Sequence, residues 1–436
     1  MRDIRVRPVR RSRWARWTAV AVAAVTLAGC GLGGAEDSGS SGPVATGGEV
    51  KGKVSLQTWA LKPKFTAYME GVISGFEKKH PGVEVEWFDQ PGEGYADKVL
   101  SQSAGGTLPD VVNLPPDFAL PLVKRNLLLD VGAADPAVTA DYVKGGLDAY
   151  RFPGHRGTYG YPWYLNTDVN YWNSELFTRY GLDPKKPPAS LDELVAAART
   201  VKARSGGRTY LMSRKPNLMD LANAGVPLMS ADGKSFTFNT PEAAAVLDTY
   251  RAAFKEGLLP QDVLTETYAG NTKLFSSGTA AWTTAGANYI TSLATDNPTL
   301  APKVVSSPAM GTPPLYVQGL SIPRNTKNPA AALALARWVT NAQNQAAFAR
   351  ETSIFPSTTA SAADPFFSQS DGGNAGDAKV TAFRSLATAR VLEPVQANDA
   401  IKTLINQQIA LAISGQTGSR EALDTAVTRA NQLLKD

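Results

Sequence analysis

The chain has 436 residues, with 44 lysine and arginine residues, 39 aspartate and glutamate residues, two histidines and one cysteine. The formal charge of +5 is concentrated at the start, because the first 29 residues hold seven basic residues and one acidic residue, which leaves 37 basic and 38 acidic residues in the remainder. A remainder without net basic charge does not support nucleic-acid binding, and one cysteine excludes a disulfide framework within the chain.

The N-terminal segment has the layout of a secretory signal. Its arginine-rich start is followed by the apolar run WTAVAVAAVTLA at residues 17–28, which is shorter than the ~20 residues that a membrane span needs. The run ends in Leu27-Ala28-Gly29-Cys30, which resembles the lipobox of bacterial lipoproteins. The resemblance implies a signal peptide over 1–29, a lipidated Cys30 and anchoring to the cell membrane, with a chance cysteine beside an ordinary cleavage site as the alternative. Residues 30–50, rich in glycine and serine, are expected to form a flexible tether.

About 390 residues follow the tether, which is more than one core usually supports, so we expect two lobes. Strand patterns near Val54–Trp59, Val83–Trp87 and Pro109–Leu114 alternate with helical spacing over Phe65–Lys79 and Tyr95–Ala104. This order predicts a parallel sheet with right-handed crossovers. Ligands of such sheets bind beyond the carboxyl ends of the strands.

Later helices are marked by their first residues. The segment Ser190–Glu193 fits a capping box, and Thr240 and Asn328 each precede a proline. Ser419 is expected to cap the last helix. Residues 360–379 show no periodicity and are predicted to be a loop.

Residues 161–173 read YPWYLNTDVNYWN and combine five aromatic residues with asparagine and aspartate. One interpretation is a buried strand whose rings belong to the core. The other is a surface that stacks on a sugar ring and hydrogen-bonds its hydroxyl groups.

Several stretches, in matching order over most of the chain, resemble the family-one extracellular solute-binding proteins, the sugar-binding lipoproteins of ABC importers. The matching pieces are Leu108–Val112, Leu127–Asp130, Gly160–Trp163, Tyr171–Asn173, Gly181–Pro184, Phe275–Ala281, Gly319–Pro323 and Lys327–Ala332. The resemblance implies a two-lobe α/β fold of the periplasmic-binding-protein type II kind, each lobe a mixed, mostly parallel sheet flanked by helices, with a ligand cleft between the lobes.

The resemblance also implies where the lobes begin and end. The first lobe is expected over 51–165 plus about 283–328, the second over about 166–282 plus 329–436, and the crossings near 163–168, 278–288 and 325–335. It assigns Tyr161, Tyr171 and Trp172 to the core. The residues that it implies at the ligand are Trp59, Tyr95, Asp117, Trp163, Tyr164, Asn166, Asn217, Asn288, Tyr316 and Gln318.

For the function, the resemblance implies capture of a sugar and its delivery to the integral-membrane permease of an ABC importer, by a monomer without cofactor, metal or catalytic residues. Aromatic rings with few charges favour a neutral di- or oligosaccharide. The alternative is a secreted, lipid-anchored glycoside hydrolase or other carbohydrate-active enzyme, because a glycosidase needs only two carboxylates. No HExxH, GxSxG, P-loop or CxxC motif occurs, so the sequence does not support a zinc peptidase, a serine hydrolase or a nucleotide-binding protein.

Overall fold

The computed structural model describes residues 46–265, 268 and 270–435. The predicted signal peptide, Cys30 and most of the tether lie outside these residues, so those predictions stay predictions. In the part of the chain that is described, no helix combines the length and the apolar character that a membrane crossing requires.

Strands and helices alternate in the first part of the chain, and helices dominate its last third. The strands are Gly52–Trp59 (β1), Val83–Gln90 (β2), Val111–Asn113 (β3), Tyr161–Asn166 (β4), Asp168–Asn173 (β5), Trp282–Gly286 (β6), Val304–Pro308 (β7), Tyr316–Ser321 (β8) and Phe355–Pro356 (β9). The helices are Thr66–Lys79 (α1), Tyr95–Ala104 (α2), Pro116–Lys124 (α3), Val131–Ala134 (α4), Val138–Asp141 (α5), Lys144–Asp148 (α6), Ser174–Arg179 (α7), Leu191–Ser205 (α8), Leu218–Asn223 (α9), Pro241–Lys255 (α10), Asn271–Ser276 (α11), Tyr289–Asp296 (α12), Pro329–Val339 (α13), Ala342–Thr352 (α14), Thr359–Ala362 (α15), Pro365–Ser368 (α16), Asn374–Ser385 (α17), Asp399–Ser414 (α18) and Ser419–Leu433 (α19).

The larger sheet has six strands in the order β2-β1-β3-β8-β4-β9. β1 pairs in parallel with β2 and β3, as the strand–helix–strand pattern predicts. β8 lies antiparallel between β3 and β4, so β4 runs in the same direction as β1. The carboxyl ends of β1, β3 and β4 therefore meet the first residues of β8 at one edge of this sheet, where the parallel-sheet rule expects a ligand.

The smaller sheet has the order β6-β5-β7. β6 and β7 run in the same direction with α12 between them in the chain, and β5 lies between them in the opposite direction. The two-lobe α/β architecture is as predicted, but both pairings of this sheet are antiparallel rather than mostly parallel. We call the six-stranded sheet with its packed helices the first lobe, and the three-stranded sheet with its packed helices the second lobe.

Three connections join the lobes. β4 passes into β5 through Thr167, residues 309–315 lead from β7 to β8, and the chain leaves β9 for α17, which packs on β7. The first connection coincides with the expected crossing near 163–168, whereas the other two coincide with neither of the crossings expected near 278–288 and 325–335. β6 is inside the smaller sheet, and α13 packs on β1, β3 and β4. The small buried side chains of Ala331 and Ala332 allow this helix close contact with the larger sheet.

The predicted helix starts at Ser190, Thr240 and Asn328 are confirmed, since each side chain accepts a hydrogen bond from the first turn of its helix. Ser419 is instead the first residue of α19, and its hydroxyl donates to Asp248 at 2.6 Å.

The predicted loop over 360–379 contains part of α15, all of α16 and the start of α17. The first two helices have four residues each, which is too short for a periodic pattern to reveal.

Candidate functional site

Two adjoining cavities lie where the strands of the first lobe end and the second lobe begins. Their volumes are about 520 and about 180 Å³, and both are lined by Met219, Pro314 and Leu392. We call the two together the cleft. Its polar and aromatic lining comes from both lobes and includes Asp117, Tyr316 and Gln318 from the first, and Asp168, Asn170, Arg214, Asn217, Asp220, Trp282, Glu393 and Lys402 from the second.

A hydrogen bond joins the lobes inside the cleft. Tyr316, the first residue of β8, donates its hydroxyl to Oδ2 of Asp168, the first residue of β5, at 2.9 Å. Tyr316 is 40% exposed, although its side chain carries a large apolar ring. Burial raises the pKa of the Asp168 carboxyl above its usual range, with partial compensation from the Tyr316 hydroxyl and the charge of Arg214. Tyr316 is a predicted site residue, and Asp168 was missed.

Arg214 and Asp220 form the second polar feature of the cleft. The guanidinium binds the carboxylate through two hydrogen bonds of 2.6 and 2.7 Å and lies 5.6 Å from the ring of Trp282. The predicted site residue Asn217 caps α9 next to this pair, accepting from the backbone nitrogens of Met219 and Asp220. Asn217 thus lines the cleft and is also a helix cap.

Asp117, one of the predicted ligand-binding residues, lines the cleft from the first turn of α3. Burial raises the pKa of its carboxyl above the usual range, and the positive charge of Lys402 opposes this shift. Lys402 lies 3.6 Å from Glu393 and 3.5 Å from Asp399. Asp117 at the start of α3 therefore faces Lys402, a charged group of the second lobe that no sequence pattern predicts.

Gln318 is held by a chain of hydrogen bonds from the core. Its Oε1 accepts from Nδ2 of Asn113 at 3.2 Å, and the backbone oxygen of Asn113 accepts from the hydroxyl of Tyr95 at 2.9 Å. Tyr95 is buried, so the prediction that it touches ligand is wrong: it supports Gln318 indirectly. Trp59 stacks on Tyr95 with 5.5 Å between ring centroids and does not line the cleft.

The prediction that Trp163 stacks on a ligand is also wrong. Its side chain is fully buried and stacks on Phe348 of α14, with centroids 5.4 Å apart and ring planes 16° apart. The pairing register of β4 shifts between Pro162 and Tyr164, and this irregularity places two consecutive rings against Phe348. Tyr164 is half-buried there, at an edge-on contact, and lies outside the cleft lining.

The two remaining predicted residues also lie outside the cleft lining. Asn166 is half-buried, and its Oδ1 accepts from the backbone nitrogen of Thr167 at 2.9 Å. Asn288 is exposed before α12 and makes no capping hydrogen bond. Both side chains lie against Gly286, where a Cβ atom would come within 2.6 Å of Asn166 and 3.0 Å of Asn288. A glycine is therefore needed for their close approach.

A larger cavity of about 1170 Å³ lies along Phe152, Met229, Leu315 and Phe383. Its lining contains none of the predicted site residues and none of the loops that follow β1, β2 and β3. We place the site in the cleft because Pro115 and Asp117, which follow β3, and Tyr316, the first residue of β8, line it. Across the described ranges, no group of three histidine, cysteine, aspartate or glutamate side chains is arranged to hold a metal ion.

Two α/β lobes, joined by extended crossings and enclosing a cleft lined from both sides, define a two-lobed solute-binding protein. The profile of the bacterial extracellular solute-binding proteins matches residues 72–375, and the chain belongs to this family. The family is one of binding proteins rather than enzymes.

Known proteins support this assignment. A periplasmic-binding protein from Synechococcus sp. MITs9220 has 29% sequence identity to this chain and a TM-score of 0.78. The structural match covers 88% of this chain and 99% of that protein. A binding protein from Brucella abortus is 25% identical over 240 residues, which is 52% of this chain and 56% of that protein. The maltooligosaccharide ABC transporter solute-binding lipoprotein of Streptococcus pneumoniae is 28% identical over 193 residues, which is 44% of this chain and 41% of that protein. The chain thus spans about half the length of the curated relatives it matches.

Proposed function

We propose that this protein is the substrate-binding lipoprotein of an ABC importer and captures a di- or oligosaccharide without acidic groups. The observation that carries the proposal is the cleft itself, which combines exposed aromatic surface with hydrogen-bonding side chains from both lobes. Tyr316 offers ring surface, and Asn217, Gln318 and the carboxylates offer partners for hydroxyl groups. A few placed polar groups in an otherwise apolar pocket are what a small-molecule site needs.

Binding would work by closure of the lobes on the saccharide. Asp117 and Lys402 face each other across the cleft from different lobes, so a ligand between them contacts both. Only a closed form makes both sets of contacts, and the ligand therefore shifts the open–closed equilibrium toward closure. The closed complex is the form that a permease would recognise.

The membrane attachment rests on the sequence around Cys30. The Leu27–Cys30 motif supports lipidation after removal of residues 1–29, and the relative from Streptococcus pneumoniae bears the name lipoprotein. We expect Cys30→Ser to remain an unprocessed precursor or to be released from the membrane. Metabolic labelling with a fatty-acid probe measures this, and a labelled, membrane-bound variant would contradict the anchor.

A thermal-shift screen of the domain from residue 46 onward tests the ligand class. The panel holds malto-, cello-, xylo- and manno-di- and trisaccharides, together with trehalose. A saccharide at about 100 times its dissociation constant should stabilise the fold by ~2.7 kcal/mol. Asp117→Asn should reduce this stabilisation, whereas Asp97→Asn, an exposed aspartate of α2, is the matched control.

Four carboxylates in the cleft keep a glycoside hydrolase as a second candidate. Chromatography of each stabilising saccharide after prolonged incubation separates the two functions. A binding protein leaves the saccharide intact, and release of shorter products would support the hydrolase.

A further inference from the structure

The charges of the cleft are unbalanced. Among the described residues, its charged lining consists of four carboxylates and two cations, a formal charge of −2 at neutral pH: Asp117, Asp168, Asp220, Glu393, Arg214 and Lys402. Charges in a partly desolvated cleft interact more strongly than at an exposed surface. The arrangement of these six groups therefore bears on which ligands can enter.

Both cations are already paired with carboxylates of the protein. Arg214 uses its guanidinium in a two-bond contact with Asp220, a geometry that also gives the strongest recognition of ligand carboxylates and phosphates. Lys402 lies between Glu393 and Asp399. An anionic ligand would have to displace one of these pairs to find a cation.

Two carboxylates, in contrast, have no cation at ion-pair distance among the described residues: Asp117 and Asp168. Asp168 accepts one hydrogen bond at Oδ2, from Tyr316. Its Oδ1 receives no hydrogen bond from the described residues and is not sealed from the cavity. Burial raises the pKa of both carboxyls, and the charges of Lys402 and Arg214 offset only part of the two shifts.

We propose that Asp168 selects the charge of the ligand and, with Asp117 on the facing lobe, favours a saccharide that carries an amine over its neutral and carboxylated forms. The inference rests on the proposed function. An ammonium group donates charge-assisted hydrogen bonds, which are about twice as strong as neutral ones. It also supplies the positive charge that the lining lacks.

The walls around Asp168 explain why the ligand would be a saccharide and not a small free amine. Met219 lies 3.7 Å from the hydroxyl of Tyr316, and Leu392 borders both cavities. The Tyr316 ring and these two side chains give apolar surface on which the C–H face of a sugar ring can pack. A small free amine would neither cover this apolar surface nor fill the volume of the cleft.

The test compares three forms of one saccharide by calorimetry. Maltose, cellobiose and every other saccharide that stabilises the domain are titrated as the neutral sugar, the 6-amino-6-deoxy form and the 6-carboxylate. The variants are Asp168→Asn, which keeps an acceptor for Tyr316, and Asp296→Asn, an exposed aspartate at the end of α12 that makes the same charge change. Melting curves verify that each variant is folded.

For at least one scaffold, we expect the wild type and Asp296→Asn to bind the amine form about tenfold more tightly than the neutral form, and the carboxylate most weakly. In Asp168→Asn the preference for the amine should fall toward unity. Equal or tighter binding of the neutral form or the carboxylate in the wild type would overturn the inference but leave saccharide binding intact. An unchanged preference in Asp168→Asn would overturn the role of that residue. Absence of binding for all forms would remove the proposed function together with the inference.

Discussion

Replacing Trp163 with alanine should destabilise the fold while leaving the cleft in place. The indole is fully buried in the first lobe and stacks on Phe348 at 5.4 Å. Its Nε1 has no hydrogen-bond partner among the described residues, so the side chain contributes through packing. Trp163 does not line the cleft, and its removal takes no group away from a ligand.

The size of the expected loss of stability follows from the burial of the indole. Truncating a buried tryptophan to alanine costs about 3–5 kcal/mol. The entropy of unfolding is ~2.1 cal/mol/K per residue, or about 0.8 kcal/mol/K for about 390 residues, so the melting temperature should fall by about 4–6 °C. Trp163→Phe keeps a ring against Phe348 and removes the N–H without a partner, so it should lose less than half as much.

Calorimetric melting and ligand titration of Trp163→Ala distinguish a packing role of this ring from a ligand contact. We expect a lower melting temperature and, for a saccharide that stabilises the wild type, a dissociation constant within about threefold of wild type. Tyr316→Phe serves as the reciprocal control, because it removes a hydroxyl from the cleft but no buried ring. An unchanged melting temperature with a large loss of affinity in Trp163→Ala would contradict the packing role of Trp163 and make this ring a ligand contact.

Two further predictions concern charges in the cleft. Asp168→Asn should raise the melting temperature of the ligand-free protein at pH 7.5, because the raised pKa of this carboxyl means that its ionisation disfavours the folded state. This gain in melting temperature should vanish as the pH falls below the ordinary pKa range of an aspartate, because the carboxyl is then protonated in both the folded and the unfolded state. Melting curves of the variant and the wild type from pH 3.5 to 8 measure the gain. A gain that grows toward acid pH would contradict the prediction. Arg214→Ala should destabilise the fold by about 3 kcal/mol, since it leaves the half-buried Asp220 unpaired. Adding Asp220→Ala should recover part of this loss in denaturant unfolding, and additive losses would argue against the pair.

The sequence patterns predicted the features that arise from local periodicity. The parallel β1–β2 pairing, the helix caps at Ser190 and Thr240, and the buried rings of Tyr161 and Trp172 are all visible in short windows. Trp163 was misassigned because a register shift within β4 turns two consecutive rings toward α14. Such an irregularity depends on the neighbouring strands and leaves no mark in the alternation of residue types.

The site was only partly predictable because its contacts join distant parts of the chain. Tyr316 and Asp168 are 148 residues apart, and no pattern links them. Lys402 and Glu393 are far from Asp117 in the chain, so no local pattern places them opposite it. Asp168 could have been noticed, since it is the one carboxylate in the aromatic stretch 161–173.

A crystal structure of the domain with a saturating saccharide from the panel tests the central claim most directly. We expect density for the sugar in the cleft, within hydrogen-bond distance of Asp117 from the first lobe and Asp168 from the second. Density confined to the apolar cavity along Phe152 and Phe383, or to one lobe alone, would contradict it.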